Sequence, residues 1–150
     1  MRALAWALAL VLGAGCFQDS TPQHTTFLPV GWRSDTANIR LVRACRLNVQ
    51  HEGNYQQVYV TTANQADAQY LAQDFPLPAG SVVVAEQHKE QTCNSLASID
   101  LMVKETPGYD PANHDWHWQT LDANERVVQD GHLVACSSCH AACNDYLCGR

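Results

Sequence analysis

The chain has 150 residues, of which 46% are hydrophobic, and this is enough for one domain with a buried core. The formal net charge is −6, which argues against nucleic-acid binding, because that function requires a basic face. We therefore expect no nucleic-acid partner.

The first 15 residues have the pattern of an export signal. Arg2 precedes a short apolar run over residues 3–12, too short for a permanent membrane span, and small residues lead to Cys16. The pattern predicts a signal peptide over residues 1–15 and resembles a bacterial lipoprotein signal, in which Cys16 carries lipid. The alternative is an ordinary signal peptide that is cut nearby. We expect a periplasmic protein whose only membrane attachment is the lipid at Cys16.

The remaining chain is predicted to be a tether followed by one α+β domain. Residues 16–26 are polar and predict a flexible tether, and residues 27–150 form the domain. Alternating apolar residues predict a mainly antiparallel sheet with one or two helices, of which the clearest is predicted over residues 63–74, where Pro76 ends it. The predicted strands cover residues 41–49, 55–62, 81–86, 99–104, 116–118 and 125–128.

The most informative motif lies near the C-terminus. Cys136-Ser137-Ser138-Cys139-His140 reads C-x-x-C-H, which is typical of c-type haem attachment. The two thiols form thioethers with the porphyrin vinyl groups, and the histidine supplies a ligand to the iron. We therefore expect one covalently attached haem c, held by Cys136, Cys139 and His140, with His140 as the metal ligand. The alternative is a zinc or iron–sulfur site made of four thiolates, Cys136, Cys139, Cys143 and Cys148.

Four further cysteines are available for disulfides in an exported protein. Our preferred pairing is Cys45 with Cys93 and Cys143 with Cys148. Two other pairings of four cysteines exist, and a single disulfide with two buried thiols is a further alternative.

The position of the haem motif and five segments indicate a family. No methionine follows His140, whereas small cytochromes c take a methionine ligand from the chain after the motif. The chain resembles the cytochrome P-460 family and its relative, the β-sheet cytochrome c-prime, over about residues 27–150. The similar segments are Gly31-Trp32-Arg33, Val58-Tyr59-Val60, Ser81 to Glu86, Leu101 to Glu105 with Gly108-Tyr109 and Asp115-Trp116, and the haem motif with Asp145-Tyr146.

The resemblance implies a five-coordinate haem c on an antiparallel β fold, often in a homodimer, and leaves the activity open. The β-sheet cytochrome c-prime binds nitric oxide or carbon monoxide at an apolar distal face. Cytochrome P-460 proteins oxidise hydroxylamine and carry a lysine cross-linked to the porphyrin. Because Lys89 and Lys104 are the only lysines, we favour a small-ligand binder with one-electron redox chemistry and an unidentified redox partner.

Several other side chains are candidates for roles at the haem. In a third alternative, a simple electron carrier, the second iron ligand is one of four histidines: His88, His114, His117 or His132. Glu86 and Glu105 are candidate proton acceptors for hydroxylamine oxidation, although we favour solvated strand-end positions for both. Phe75, Trp116 and Trp118 are predicted to be core residues and not a gate over the haem.

Overall fold

The domain is a six-stranded antiparallel sheet in which neighbouring strands follow one another in chain order. A computed structural model describes residues 25–28, 30–52 and 54–148, so the predicted signal peptide, Cys16 and most of the tether lie outside the described residues. The predicted mainly antiparallel α+β architecture is confirmed. The strands are β1 (Ile39–Asn48), β2 (Asn54–Thr61), β3 (Val82–His88), β4 (Leu96–Lys104), β5 (Trp116–Asp122) and β6 (Val127–Gly131).

Two short helices accompany the sheet, α1 (Ala66–Ala72) and α2 (Val134–His140). The predicted helix over residues 63–74 is wrong in its bounds. Asn64 and Gln65 have positive φ angles of 52° and 62°, a conformation that an α-helix does not contain. A 3₁₀ turn therefore precedes α1. The C-terminal helix carries the whole C-x-x-C-H motif, and no helix in the described part of the chain is long and apolar enough to cross a bilayer.

Successive side chains of each strand point to opposite faces of the sheet. Both faces carry apolar side chains that are covered by other segments of the chain. The face that we call the helix face presents an apolar set that packs against α1 and the C-terminal segment: Val58, Val60, Val83, Met102 and Trp118. Val84, Ile99, Leu101 and Leu121 lie on the opposite face and pack against Leu28 and Trp32 of the N-terminal segment. The helix face is the one on which the haem motif lies.

Both disulfides of the preferred pairing are present. Cys45 of β1 is bonded to Cys93 in the loop between β3 and β4, and Cys143 is bonded to Cys148 just after α2. The alternative with a single disulfide is wrong. The second disulfide closes the short C-terminal segment that follows the haem motif.

Glu86 differs from its predicted position. It is only 3% exposed, and its carboxylate accepts a hydrogen bond from Arg33 Nε at 2.5 Å and lies 3.4 Å from His88 Nε2. The solvated strand-end position is wrong because β3 continues to His88, which leaves Glu86 beneath the N-terminal segment. Glu86 therefore anchors that segment on the face opposite the haem motif.

Candidate functional site

Cys136 and Cys139 are the free thiols among the described residues. They lie three positions apart on α2, so their side chains share one side of the helix. Both line a cavity of about 710 Å³ on the helix face, within the size range of small-molecule sites. Burial raises the pKa of the Cys136 thiol, with smaller contributions from Asp100 and Cys139. Two free thiols therefore face one cavity, while the other four described cysteines form disulfides.

His140 borders the same cavity and has a defined tautomer. Its Nδ1 lies 2.6 Å from the backbone carbonyl oxygen of Tyr146. Because a carbonyl only accepts hydrogen bonds, Nδ1 carries the proton and Nε2 keeps its lone pair. Burial lowers the pKa of His140 below its ordinary value, and the nearby His51 lowers it further. His140 is therefore a neutral imidazole held by a backbone oxygen, the usual arrangement of a histidine that binds a metal.

The carbonyl that orients His140 belongs to a tightly held turn. Asp145 precedes Tyr146, and both have positive φ angles, 47° and 60°. The Asp145 carboxylate pairs with Lys104 Nζ at 2.6 Å and accepts the Leu77 N–H at 3.0 Å. The Asp145 carbonyl accepts Trp116 Nε1–H at 2.9 Å. Strands β4 and β5 thus fix the turn, and through it the ring of His140.

The cavity wall formed by the sheet is apolar. It includes Val58, Val83, Met102 and Trp118 of the helix face. The ring of Trp118 meets the ring of His140 edge to face, with centroids 5.0 Å apart. The prediction that Trp118 is a core residue is confirmed, since it is 4% exposed, and it is also the wall against which His140 rests. Its buried Nε1 has no hydrogen-bond partner among the described residues.

Two arginines of β1, Arg43 and Arg46, lie at the polar side of the cavity with Tyr70 of α1. Burial lowers the pKa of Arg43, and its guanidinium contacts Gln56 Oε1. Guanidinium groups at the side of an apolar cavity suit a ligand that carries carboxylates. The two propionates of a haem have this chemistry.

His51 also lines the cavity, although the sequence did not single it out. It lies in the turn between β1 and β2, where its backbone N–H bonds to the Asn48 carbonyl. Its ring centroid is 6.1 Å from that of His140. The available signal was a histidine beside the Gly53-Asn54 turn, but 89 positions separate it from His140 and no local pattern links the two.

The four histidines predicted as second iron ligands lie elsewhere. His88 is buried beside Glu86 on the opposite face, and His114 lies 3.2 Å from Asp145. His117 pairs with Asp130 at 2.7 Å, and His132 pairs with Asp110 at 2.9 Å. None of the four lines the cavity.

The candidate residues for hydroxylamine oxidation also lie away from the cavity. Lys104 is buried in its ion pair with Asp145, and Lys89 is exposed in the loop after β3. Glu105 lies 3.3 Å from His117. Neither lysine and neither candidate carboxylate lines the cavity.

A four-thiolate metal site is excluded, because Cys143 and Cys148 are bonded to each other. Over residues 25–28, 30–52 and 54–148, no group of three or more histidine, cysteine or acidic side chains is arranged to hold a metal ion. Cys136 and Cys139 therefore lie as a pair of free thiols near one histidine, His140.

The chain matches no model of a known protein family and no curated protein. The resemblance to cytochrome P-460 thus rests on the sequence segments alone.

Proposed function

We propose that this chain is an exported haem c protein that carries out one-electron redox chemistry and binds small ligands such as nitric oxide or carbon monoxide at the iron. The observation that carries the proposal is the meeting of Cys136, Cys139 and His140 at one cavity of about 710 Å³. The resemblance to the cytochrome P-460 family and the β-sheet cytochrome c-prime points the same way. Export to the periplasm, lipid at Cys16 and homodimer formation belong to the same proposal.

Each side chain at the cavity has a part in the proposal. Cys136 and Cys139 bind the porphyrin as thioethers, and His140 supplies Nε2 to the iron while Tyr146 holds its Nδ1–H. Trp118 keeps water from the His140 ring, and the arginines Arg43 and Arg46 bind the two propionates. The bound haem supplies an iron that changes oxidation state and binds diatomic ligands, and the chain supplies attachment, orientation and an apolar surround.

Hydroxylamine oxidation through a lysine-modified porphyrin has less support. Lys104 is 8% exposed and is paired with Asp145, and Lys89 is in an exposed loop. A cross-link to the porphyrin would require one of these two lysines to move from its observed position to the cavity. The apolar cavity wall instead suits an uncharged diatomic ligand.

The experiment is to mature the full chain in cells that attach c-type haem and to record ferric, ferrous and carbon-monoxide spectra. We expect one covalent haem with ordinary c-type bands, a reversible one-electron titration and carbon-monoxide binding by the ferrous protein. His140→Ala should keep the thioethers and lose the native iron coordination, whereas Lys89→Ala should leave every spectrum unchanged. A strongly red-shifted ferrous Soret band that Lys89→Ala abolishes would instead support the hydroxylamine-oxidising alternative.

A further inference from the structure

We propose that His51 is the second protein ligand of the iron, across from His140, and that a diatomic ligand binds by displacing it. This inference rests on the proposed haem function. It departs from the five-coordinate iron that the family resemblance implies, and it concerns a histidine that lies far from the motif in sequence.

The first argument is the distance between the two rings. His51 and His140 have centroids 6.1 Å apart and planes at 89°. Two imidazoles on opposite sides of one metal ion, each with a metal–nitrogen bond of about 2.0–2.1 Å, have ring centres about 6 Å apart. The separation therefore matches a shared ion.

The second argument is the surroundings of His51 Nδ1. This atom accepts a hydrogen bond from the Gln87 side-chain amide at 3.3 Å and lies 3.5 Å from Asp100 Oδ2, to which the same amide donates at 2.8 Å. The ring proton is therefore on Nε2 in the structure. When a metal binds Nε2, the proton must reside on Nδ1, and Asp100 then provides its acceptor. A carboxylate behind a ligating histidine is a common outer partner that fixes the ring and increases its basicity. The contact between Asp100 and His51 Nδ1, at 3.5 Å, is longer than the 2.6 Å between the Tyr146 carbonyl and His140 Nδ1, so it must shorten when His51 binds the iron.

The third argument concerns mobility and the competing ligand. Met102 also lines the cavity, and its thioether is a known type of haem ligand. Met102 is 6% exposed and packs in the core between Val83 and Trp118 on the neighbouring strands. The side chain of His51 is 32% exposed and lies in a turn. His51 can therefore swing toward the iron or away from it without disturbing the core.

The test uses the haem-loaded full chain and compares the wild type with His51→Ala, Met102→Leu and the control His132→Ala. Absorbance and electron paramagnetic resonance report the spin state of the ferric iron. We expect a low-spin, six-coordinate wild type, a high-spin His51→Ala protein, and recovery of the low-spin state when free imidazole is added to that variant. Met102→Leu and His132→Ala should remain low-spin. Carbon monoxide should bind about tenfold or more faster to ferrous His51→Ala, because the competing ligand is gone.

Several outcomes would overturn the inference. A high-spin wild type, or a His51→Ala protein that stays low-spin, shows that His51 does not bind the iron. Loss of the low-spin state in Met102→Leu alone assigns the position to Met102. A pyridine assay for covalent haem is run on every sample. Absence of covalent haem in the wild type rejects the proposed function itself, whereas normal haem content with an unaltered spin state in His51→Ala rejects only this inference.

Discussion

Replacing Lys104 by methionine tests how the orienting turn beside His140 is held. The Lys104 ammonium lies 2.6 Å from Asp145 Oδ1, and the two side chains are 10% and 2% exposed. Removing one partner of a buried ion pair costs about 3–5 kcal/mol, because the other charge stays buried. The Asp145 carboxylate keeps the Leu77 N–H as a donor, so we expect the lower end of that range, a loss of about 3 kcal/mol in the free energy of unfolding. Methionine preserves most of the side-chain volume of lysine, so the change in stability reports mainly the loss of the positive charge.

The assay is urea unfolding of the disulfide-intact protein, followed by circular dichroism. Lys89→Met is the matched control, since Lys89 is the other lysine of the chain and is exposed. It should change the free energy of unfolding by about 0.5 kcal/mol or less. If Lys104→Met is no more destabilising than Lys89→Met, the ion pair does not hold the turn, and the account of how His140 is oriented is wrong.

Three further predictions concern the sheet. The double replacement Cys45→Ala with Cys93→Ala opens a crosslink with a sequence separation of 48 and should lower the free energy of unfolding by about 4 kcal/mol; an unchanged urea midpoint would contradict this. Burial, with a contribution from Glu86, raises the pKa of Tyr59 from 10.0 to about 12. The unfolded chain therefore loses this proton first, and stability should fall as pH rises from 10 to 12, an effect that Tyr59→Phe should remove from the pH profile. Trp118 is 4% exposed, so Trp118→Ala should cost about 3–5 kcal/mol; a loss below 1 kcal/mol in urea unfolding would refute its role in the core.

Much of the sheet could be predicted because its strands alternate strongly. Ile99 and Leu101 face one side while Asp100 and Met102 face the other, and this alternation is visible in the sequence. Strand ends were less predictable. The predicted third strand ends at Glu86, whereas β3 continues through Gln87 to His88. Glu86, which the sequence predicts to be solvated, pairs with Arg33, and Gln87 pairs with Asp100. The partner that makes their burial tolerable comes from a distant segment, which no local pattern reveals.

Only some of the residues at the cavity could be predicted from the sequence. The C-x-x-C-H motif specified Cys136, Cys139 and His140 because their chemistry depends on fixed spacing within one helix. His51 depends on the β1–β2 turn folding back over the helix face, so neither spacing nor composition identifies it. The same is true of Asp145, whose carboxylate meets Lys104 across 41 positions. Residues that act through long-range contacts require the fold.

The most direct test of the central account is the intact mass of the protein after maturation in cells that attach c-type haem. We expect the wild type to carry the mass of one haem that survives denaturation, and the variant Cys136→Ser with Cys139→Ser to carry none. The Cys45→Ala with Cys93→Ala protein, which removes a disulfide outside the motif, should still carry it. A wild-type mass equal to that of the processed chain without haem would contradict the account. Cys136 and Cys139 would then be an ordinary pair of thiols.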